Sequence, residues 1–180
     1  AHEMRHSFMQ KFGSPRQLVG VCWTSTNPQI GAGKSIPLAQ WEPILKCEGL
    51  QFVSLQMGTA GKDIDELRAR GLPAPYIYPD VDLTDDLQAT LSYIWSLDRV
   101  ITCSSTIAHL AGALGKPTWV LLPLGRARLW YWFKGLDQSP WYSSLSLYEQ
   151  QKPGDWSSII SKIAQDIHAS LRPGAASNKF

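Results

Sequence analysis

The chain has 180 residues, 44% of them hydrophobic and 18% charged, with a formal net charge of +2. That length suits one domain with a real core, and so small a charge excludes a polyanion-binding surface, so no nucleic-acid partner is expected. The three cysteines, Cys22, Cys47 and Cys103, form no CxxC pair or Cys/His cluster, which argues against a metal site or disulfide framework and fits a reducing compartment.

Residues 1–16 are polar and mixed in charge, and read as a lead-in or linker rather than a signal peptide. No apolar run reaches the ~20 residues of a membrane span. From Gln17 onward, short apolar runs alternate with helical patterns. Leu18–Trp23 is near-continuously apolar, as in a strand covered on both faces. A helix is predicted from Leu38 to Lys46, entered through Pro37, then a strand at Phe52–Leu55, a short helix at Asp63–Arg70 and a short strand at Tyr76–Tyr78. Thr84 is the expected cap of the next helix, with Asp85 and Asp86 in its first turn and Leu87, Leu91, Ile94 and Trp95 on its buried face. Arg99–Cys103 is a strand, Ser105–Leu114 a small-residue helix stopped by Gly115 and Pro117, and Thr118–Leu122 another strand. Pro123–Pro140 reads as a long loop, in which Trp130, Trp132 and nearby Trp141 could serve a surface. Leu145–Tyr148 completes the strands, and Asp155–Leu171 is a helix with Trp156, Ile159, Ile160, Ile163 and Ile167 on one face.

This alternation predicts an α/β domain over 17–171: a Rossmann-like, doubly wound parallel sheet of five or six strands, followed by a flexible tail at 172–180. Ligands of such sheets bind beyond the carboxyl ends of the strands, so 24–34, 56–62, 79–84, 104–106 and 123–133 are the segments to examine. Gly31-Ala32-Gly33-Lys34-Ser35 looks like the end of a P-loop, but Pro28 stands at the required glycine and Pro37 forbids the long helix. GxGxxG fails at Ile36. Lys34 is left as either a solvated lysine or an anion contact at the sheet mouth. In Cys103–Pro117, three hydroxyl residues, Ser104, Ser105 and Thr106, end a strand and open a helix. The outward amides of such a start suit a phosphate, though a plain Ser/Thr cap reads the same way.

Ile101-Thr102 followed by His109-Leu110-Ala111-Gly112-Ala113-Leu114-Gly115-Lys116-Pro117 resembles the D-T-x-x-x-H-L-A-x-A-L-G-K-P element of the heptosyltransferase-like glycosyltransferases (family 9). It is especially similar to the bacterial branch found behind tetratricopeptide repeats. Trp23 with Asn27-Pro28, Lys34–Leu38, Phe52–Gln56, Ser139–Tyr142 and Gly154–Trp156 agree in order, so the resemblance runs from about Val19 to His168. It implies the C-terminal, nucleotide-sugar-binding half of a GT-B enzyme. The acceptor and the catalytic carboxylate would lie in a separate N-terminal domain.

Carried over by resemblance, Lys34, Ser104, Ser105 and Thr106 hold the donor phosphates. Trp23, Asn27, Gln56, Asp63 and Arg126 are candidates for the nucleoside or sugar. The implied chemistry is metal-independent, with a nucleoside diphosphate sugar as substrate, no cofactor, and a cytoplasmic location at most peripheral to the inner membrane. Ser104 replaces the family's usual aspartate, so a catalytically degenerate binding or interaction module is the alternative, and a GT-B epimerase a lesser one. His109 is a candidate acid/base or phosphate contact, or a packing residue. The Arg126, Arg128, Trp130, Tyr131, Trp132 run suits an acidic or stacked ligand, or equally a rim over the sheet. The isolated chain is expected not to transfer sugar; if it did, the base would be sought among Asp80, Asp82 and His109.

Overall fold

The computed structural model describes residues 2–13, 17–58, 60–79 and 81–171. In chain order these form α1 (His2–Phe12), β1 (Gln17–Cys22), the single turn α2 (Gly31–Lys34), a 3-10 turn (Leu38–Trp41) running into α3 (Glu42–Leu45), β2 (Leu50–Ser54) and α4 (Ala60–Ala69). Then come α5 (Leu87–Ser96), β3 (Arg99–Cys103), α6 (Thr106–Ala113), β4 (Thr118–Leu122), a 3-10 turn (Trp130–Trp132), β5 (Leu145–Glu149) and α7 (Ser157–Ser170). All five strands pair in parallel in the order β2-β1-β3-β4-β5. The expected α/β, Rossmann-like parallel sheet is present.

Alternation along the strands loads both faces of the sheet. Val19, Val21, Phe52, Ile101 and Leu121 meet Trp41, Ile44, Ile64 of α4 and the isoleucine stripe of α7 on one side. Leu18, Cys22, Val53 and Val100 meet Phe8 of α1, Tyr93 and Ile94 of α5 and Ile107 of α6 on the other. Val120, Leu122, Leu145 and Leu147 close over Ala108 and Trp132. Because both faces are covered, β1 and β4 could be written as near-continuous apolar runs.

Several expectations change. Over 1–16, the expected lead-in or linker carries α1, and Met4, Phe8 and Phe12 recur at helical spacing on its packed side. Phe8 is fully buried between the rings of Tyr78 and Tyr93, at 5.2 and 5.7 Å. Arg5 reaches Asp98 at 2.9 Å, and the same carboxylate accepts from the Leu18 backbone N–H at 2.6 Å. Residues 14–16 and the tail at 172–180 lie outside the described residues. Tyr76–Tyr78 is no strand: Tyr76 makes an isolated parallel bridge to Val53.

α5 begins at Leu87, not after Thr84. Asp82 captures the Thr84 and Asp85 amides at 2.8 and 3.1 Å in a local turn, and Asp86 caps the helix by accepting from Ala89. Its buried face is Thr90, Tyr93 and Ile94, while Leu87 and Trp95 are exposed. Of the tryptophans expected to serve a surface, Trp130 and Trp141 are exposed and Trp132 is fully buried. The stripe Trp156, Ile159, Ile160, Ile163 and Ile167 is buried as expected.

Candidate functional site

With β1 between β2 and β3, the chain leaves β1 toward one edge of the sheet and β3 toward the other, which opens a crevice above their carboxyl ends. Segments following β1, β2 and β3 line a cavity of about 450 Å³ there, together with Leu129 and Tyr131 of the loop after β4. Four of the expected segments thus meet in one place.

Lys34 lies at the bottom. The single turn α2 packs closely enough that a Cβ on Gly31 would stand 2.5 Å from the Ser25 carbonyl oxygen, and one on Gly33 2.7 Å from Ala127 Cβ. The two glycines let the turn sink, and Lys34 is only 4% exposed. Ion pairs among the described residues involve Arg5, Lys46, Arg68, Arg128 and Lys162, so Lys34 has no counter-charge among them. Burial lowers its pKa, partly offset by the buried Cys103 thiol. None of the residues lining the cavity is acidic. Lys34 thus opens onto a cavity lined by hydroxyl residues with no carboxylate among its described lining residues, a setting whose chemistry would favour an anion.

α6 supplies the facing wall. Ser105 is its N-cap, in extended conformation, and makes no side-chain cap. Its hydroxyl is 3.0 Å from Thr102 Oγ1 and 3.6 Å from Cys22 Sγ. The first amides of the helix are therefore left without a side-chain acceptor at the cavity. Thr106 is exposed beside them. Ser104 is buried, and its hydroxyl accepts from the Trp132 indole N–H at 2.8 Å. Ser104, where the resemblance places an aspartate, still lines the cavity, with its hydroxyl engaged by that ring.

His109 lines the cavity one turn further along α6. It stacks on Trp132 at 5.1 Å, and its two ring nitrogens each lie 3.3 Å from a phenol, Nδ1 from Tyr142 and Nε2 from Tyr131. Burial, and then the Lys34 cation, lower its pKa. Cys22, on the cavity floor, is held low chiefly by the neighbouring Cys103 thiol, against the effect of its burial.

The nucleoside and sugar candidates separate. Trp23 is fully buried and donates its indole N–H to Asp63 at 2.6 Å, tying the end of β1 to α4; neither residue lines the cavity. Gln56 lines it, but its carbonyl already accepts from the Trp23 and Thr24 amides at 3.1 and 2.8 Å, stapling the end of β2 to the end of β1. Asn27 lines the rim and turns its oxygen onto the Gln29 and Ile30 amides. Arg126 is exposed and lines a different cavity, behind α2 beside Trp156. Arg128 pairs with Glu149 at 2.8 Å and donates to the Phe133 carbonyl, so it braces the loop. A further cavity of about 660 Å³ adjoins at Gln56, lined by Lys62, Tyr78 and Asp82. Asp80 lies outside the described residues. Sequence reasoning singled out neither Cys22 nor Tyr142 as a site residue, while Thr24 lay within the expected segment 24–34. Cys22 ends β1 and could have been found there, whereas Tyr142 reaches His109 from the segment before β5.

No protein-family model matches the chain. Over 172 residues it is 30% identical to the protein FlbA of Caulobacter vibrioides, a match that covers 94% of this chain and 27% of FlbA. Among solved structures it resembles the E. coli ADP-heptose LPS heptosyltransferase II, with a TM-score of 0.63 and 16% identity over 94% of this chain and 51% of that one. It also resembles the E. coli heptosyltransferase WaaC with ADP, with a TM-score of 0.58 and 14% identity over 93% and 48%. The WaaC complex with ADP-2-deoxy-2-fluoro heptose gives a TM-score of 0.57 and 12% identity over 93% and 48%. The chain thus has the α/β fold seen in heptosyltransferases. It spans about half the length of those enzymes and about a quarter of FlbA.

Proposed function

We propose that the chain is the nucleotide-sugar donor-binding domain of a metal-independent glycosyltransferase. In this reading the acceptor and its base belong to a separate N-terminal domain or to a repeat-bearing portion of a longer protein. The carrying observation is Lys34: a largely buried lysine without a counter-charge among the described residues, opening on a cavity whose described lining has no acid and which the start of α6, without a side-chain cap, faces. Two of the solved structures of this fold are complexes with ADP or an ADP-heptose analogue. When the sugar leaves, negative charge builds on the nucleoside diphosphate. Lys34 and the α6 amides would neutralise it without reorganising, and a base across the cleft would activate the acceptor.

The test is calorimetry with ADP, UDP and GDP, with and without Lys34→Ala. Binding of at least one is expected, weakened in the variant by about 1.5–3 kcal/mol, the scale of a hydrogen bond to a charged group. Equal affinity in the two proteins, or binding of none of the three, overturns the donor-site assignment.

One observation favours a second reading, a binding module without catalysis. Ser104, where the resemblance expects aspartate, is locked to Trp132, and no carboxylate lines the cavity. Either way the isolated chain should not transfer sugar. Turnover by the purified 180 residues would redirect the search for a base to Asp80, Asp82 and His109.

A further inference from the structure

His109 is clamped in a way that anion binding by Lys34 does not require. Its ring stacks on Trp132 and meets Tyr131 and Tyr142 edge-on, each at 67°. Each member of the clamp is itself fixed. Trp132 is tied to Ser104, and the Trp141 indole donates to the Tyr131 carbonyl at 2.8 Å. Tyr142 lies against the bare backbone of α6, where a Cβ on Gly112 would stand 2.5 Å from its ring. Of the two phenols bonded to His109, only Tyr131 lines the cavity.

Resting on the anion site proposed above, we infer that Tyr131 is that site's terminal hydroxyl donor, aimed by a hydrogen-bonded chain running Tyr142–His109–Tyr131. A neutral imidazole donates from one nitrogen and accepts at the other. Burial and the Lys34 cation keep His109 in that neutral form. The chain therefore has two directions. In one, Tyr131 donates to Nε2 and Nδ1–H donates to Tyr142. In the other, Tyr142 donates to Nδ1 and Nε2–H donates to the Tyr131 oxygen, which frees the Tyr131 O–H for the cavity. A phosphate oxygen only accepts, so an anion beside Lys34 selects the second direction. Tyr131 touches the ligand. His109 and Tyr142 are positioning residues that act through it.

The experiment titrates inorganic pyrophosphate into the 180-residue chain and into Tyr131→Phe, Tyr142→Phe, the double variant and Lys34→Ala. Tyr→Phe keeps each ring and removes only the hydroxyl. Tyr131→Phe should weaken binding about tenfold and Tyr142→Phe about threefold, the range of one or a fraction of a hydrogen bond. Tyr142→Phe should cost nothing more in the Tyr131→Phe background. Histidine ¹⁵N spectra supply a readout that packing alone would not move. Pyrophosphate should convert His109 to the Nε2–H form in the unaltered chain and leave its tautomer unchanged in Tyr131→Phe. Full affinity in Tyr131→Phe with affinity lost in Lys34→Ala overturns the chain of donors and leaves the anion site standing. Equal losses from Tyr142→Phe in both backgrounds overturn it too. Undiminished affinity in Lys34→Ala overturns the anion site itself.

Discussion

Lys34, with 4% of its surface exposed, is partly desolvated and has no counter-charge among the described residues, a cost that a fold tolerates for a reason. Replacing it with methionine, which fills similar space without the charge, should therefore do two opposite things. The ligand-free chain should gain about 0.5–2 kcal/mol, read as a melting temperature about 2–4 °C higher per kcal/mol, while pyrophosphate and nucleoside diphosphate binding weaken by about 1.5–3 kcal/mol. A variant that loses stability as well as binding would show that the lysine stem holds the turn in place. Ser104→Ala tests the neighbouring lock, because it strands the buried Trp132 indole N–H. Thermal melts should show a loss of about 1–3 kcal/mol, against near-neutrality if the indole finds water. At this scale the sequence disclosed residue types but not directions. Lys34 stood out by its place after the first strand, yet nothing in the string showed that Trp23 and Asp63 would consume each other. That pairing joins residues 40 apart.

Elements were legible where their signals are local, and less so where side chains compete for backbone amides. The five strands and α7 follow from short apolar-rich runs, near-continuous in β1 and β4, and an isoleucine stripe. The start of α5 was misplaced because Asp82, Thr84 and Asp86 are all good capping types, and only the turn that Asp82 closes decides among them. α1 was missed because Met4, Phe8 and Phe12 are sparse among polar neighbours. Its packing comes from Tyr78 and Tyr93, far along the chain. α6 supplies the sharpest test of an element's fit. A methyl group on Gly112 would collide with the Tyr142 ring, so Gly112→Ala should cost about 1–3 kcal/mol, measured by urea unfolding. Much of that loss should vanish in a Tyr142→Ala background, where the ring is gone; additive losses would place the strain elsewhere.

For the whole molecule, acid is the informative stress. His109 titrates lower in the fold than in the unfolded chain, so below the unfolded value of about 6.5 the unfolded state binds the proton first. The stability that its neutral form contributes is present above that pH and drains as pH falls toward its folded pKa. Asp82 and Asp155 are also held low, by hydrogen bonds from Thr84 and Ser157, and their share drains only below the unfolded carboxylate range near pH 4. Melting temperature against pH should therefore fall in two stages, and His109→Gln should remove the upper one. A single stage in the unaltered chain would contradict the burial of that ring. The parallel architecture was readable because periodicity reports it directly. The cavity was readable only as a set of strand ends, since which ends adjoin is a matter of strand order. That order also governs how the site comes into being. Cys22 and Ser105, neighbours on the cavity floor, are 83 residues apart in sequence, and β1 cannot meet β3 until the loop between them has closed against its chain entropy. Distant pairing of this kind slows folding. A ligand that touches α2, α6 and the loop after β4 together recognises nothing short of the finished molecule, so it should retard escape from the native state and leave the rate of reaching it unchanged.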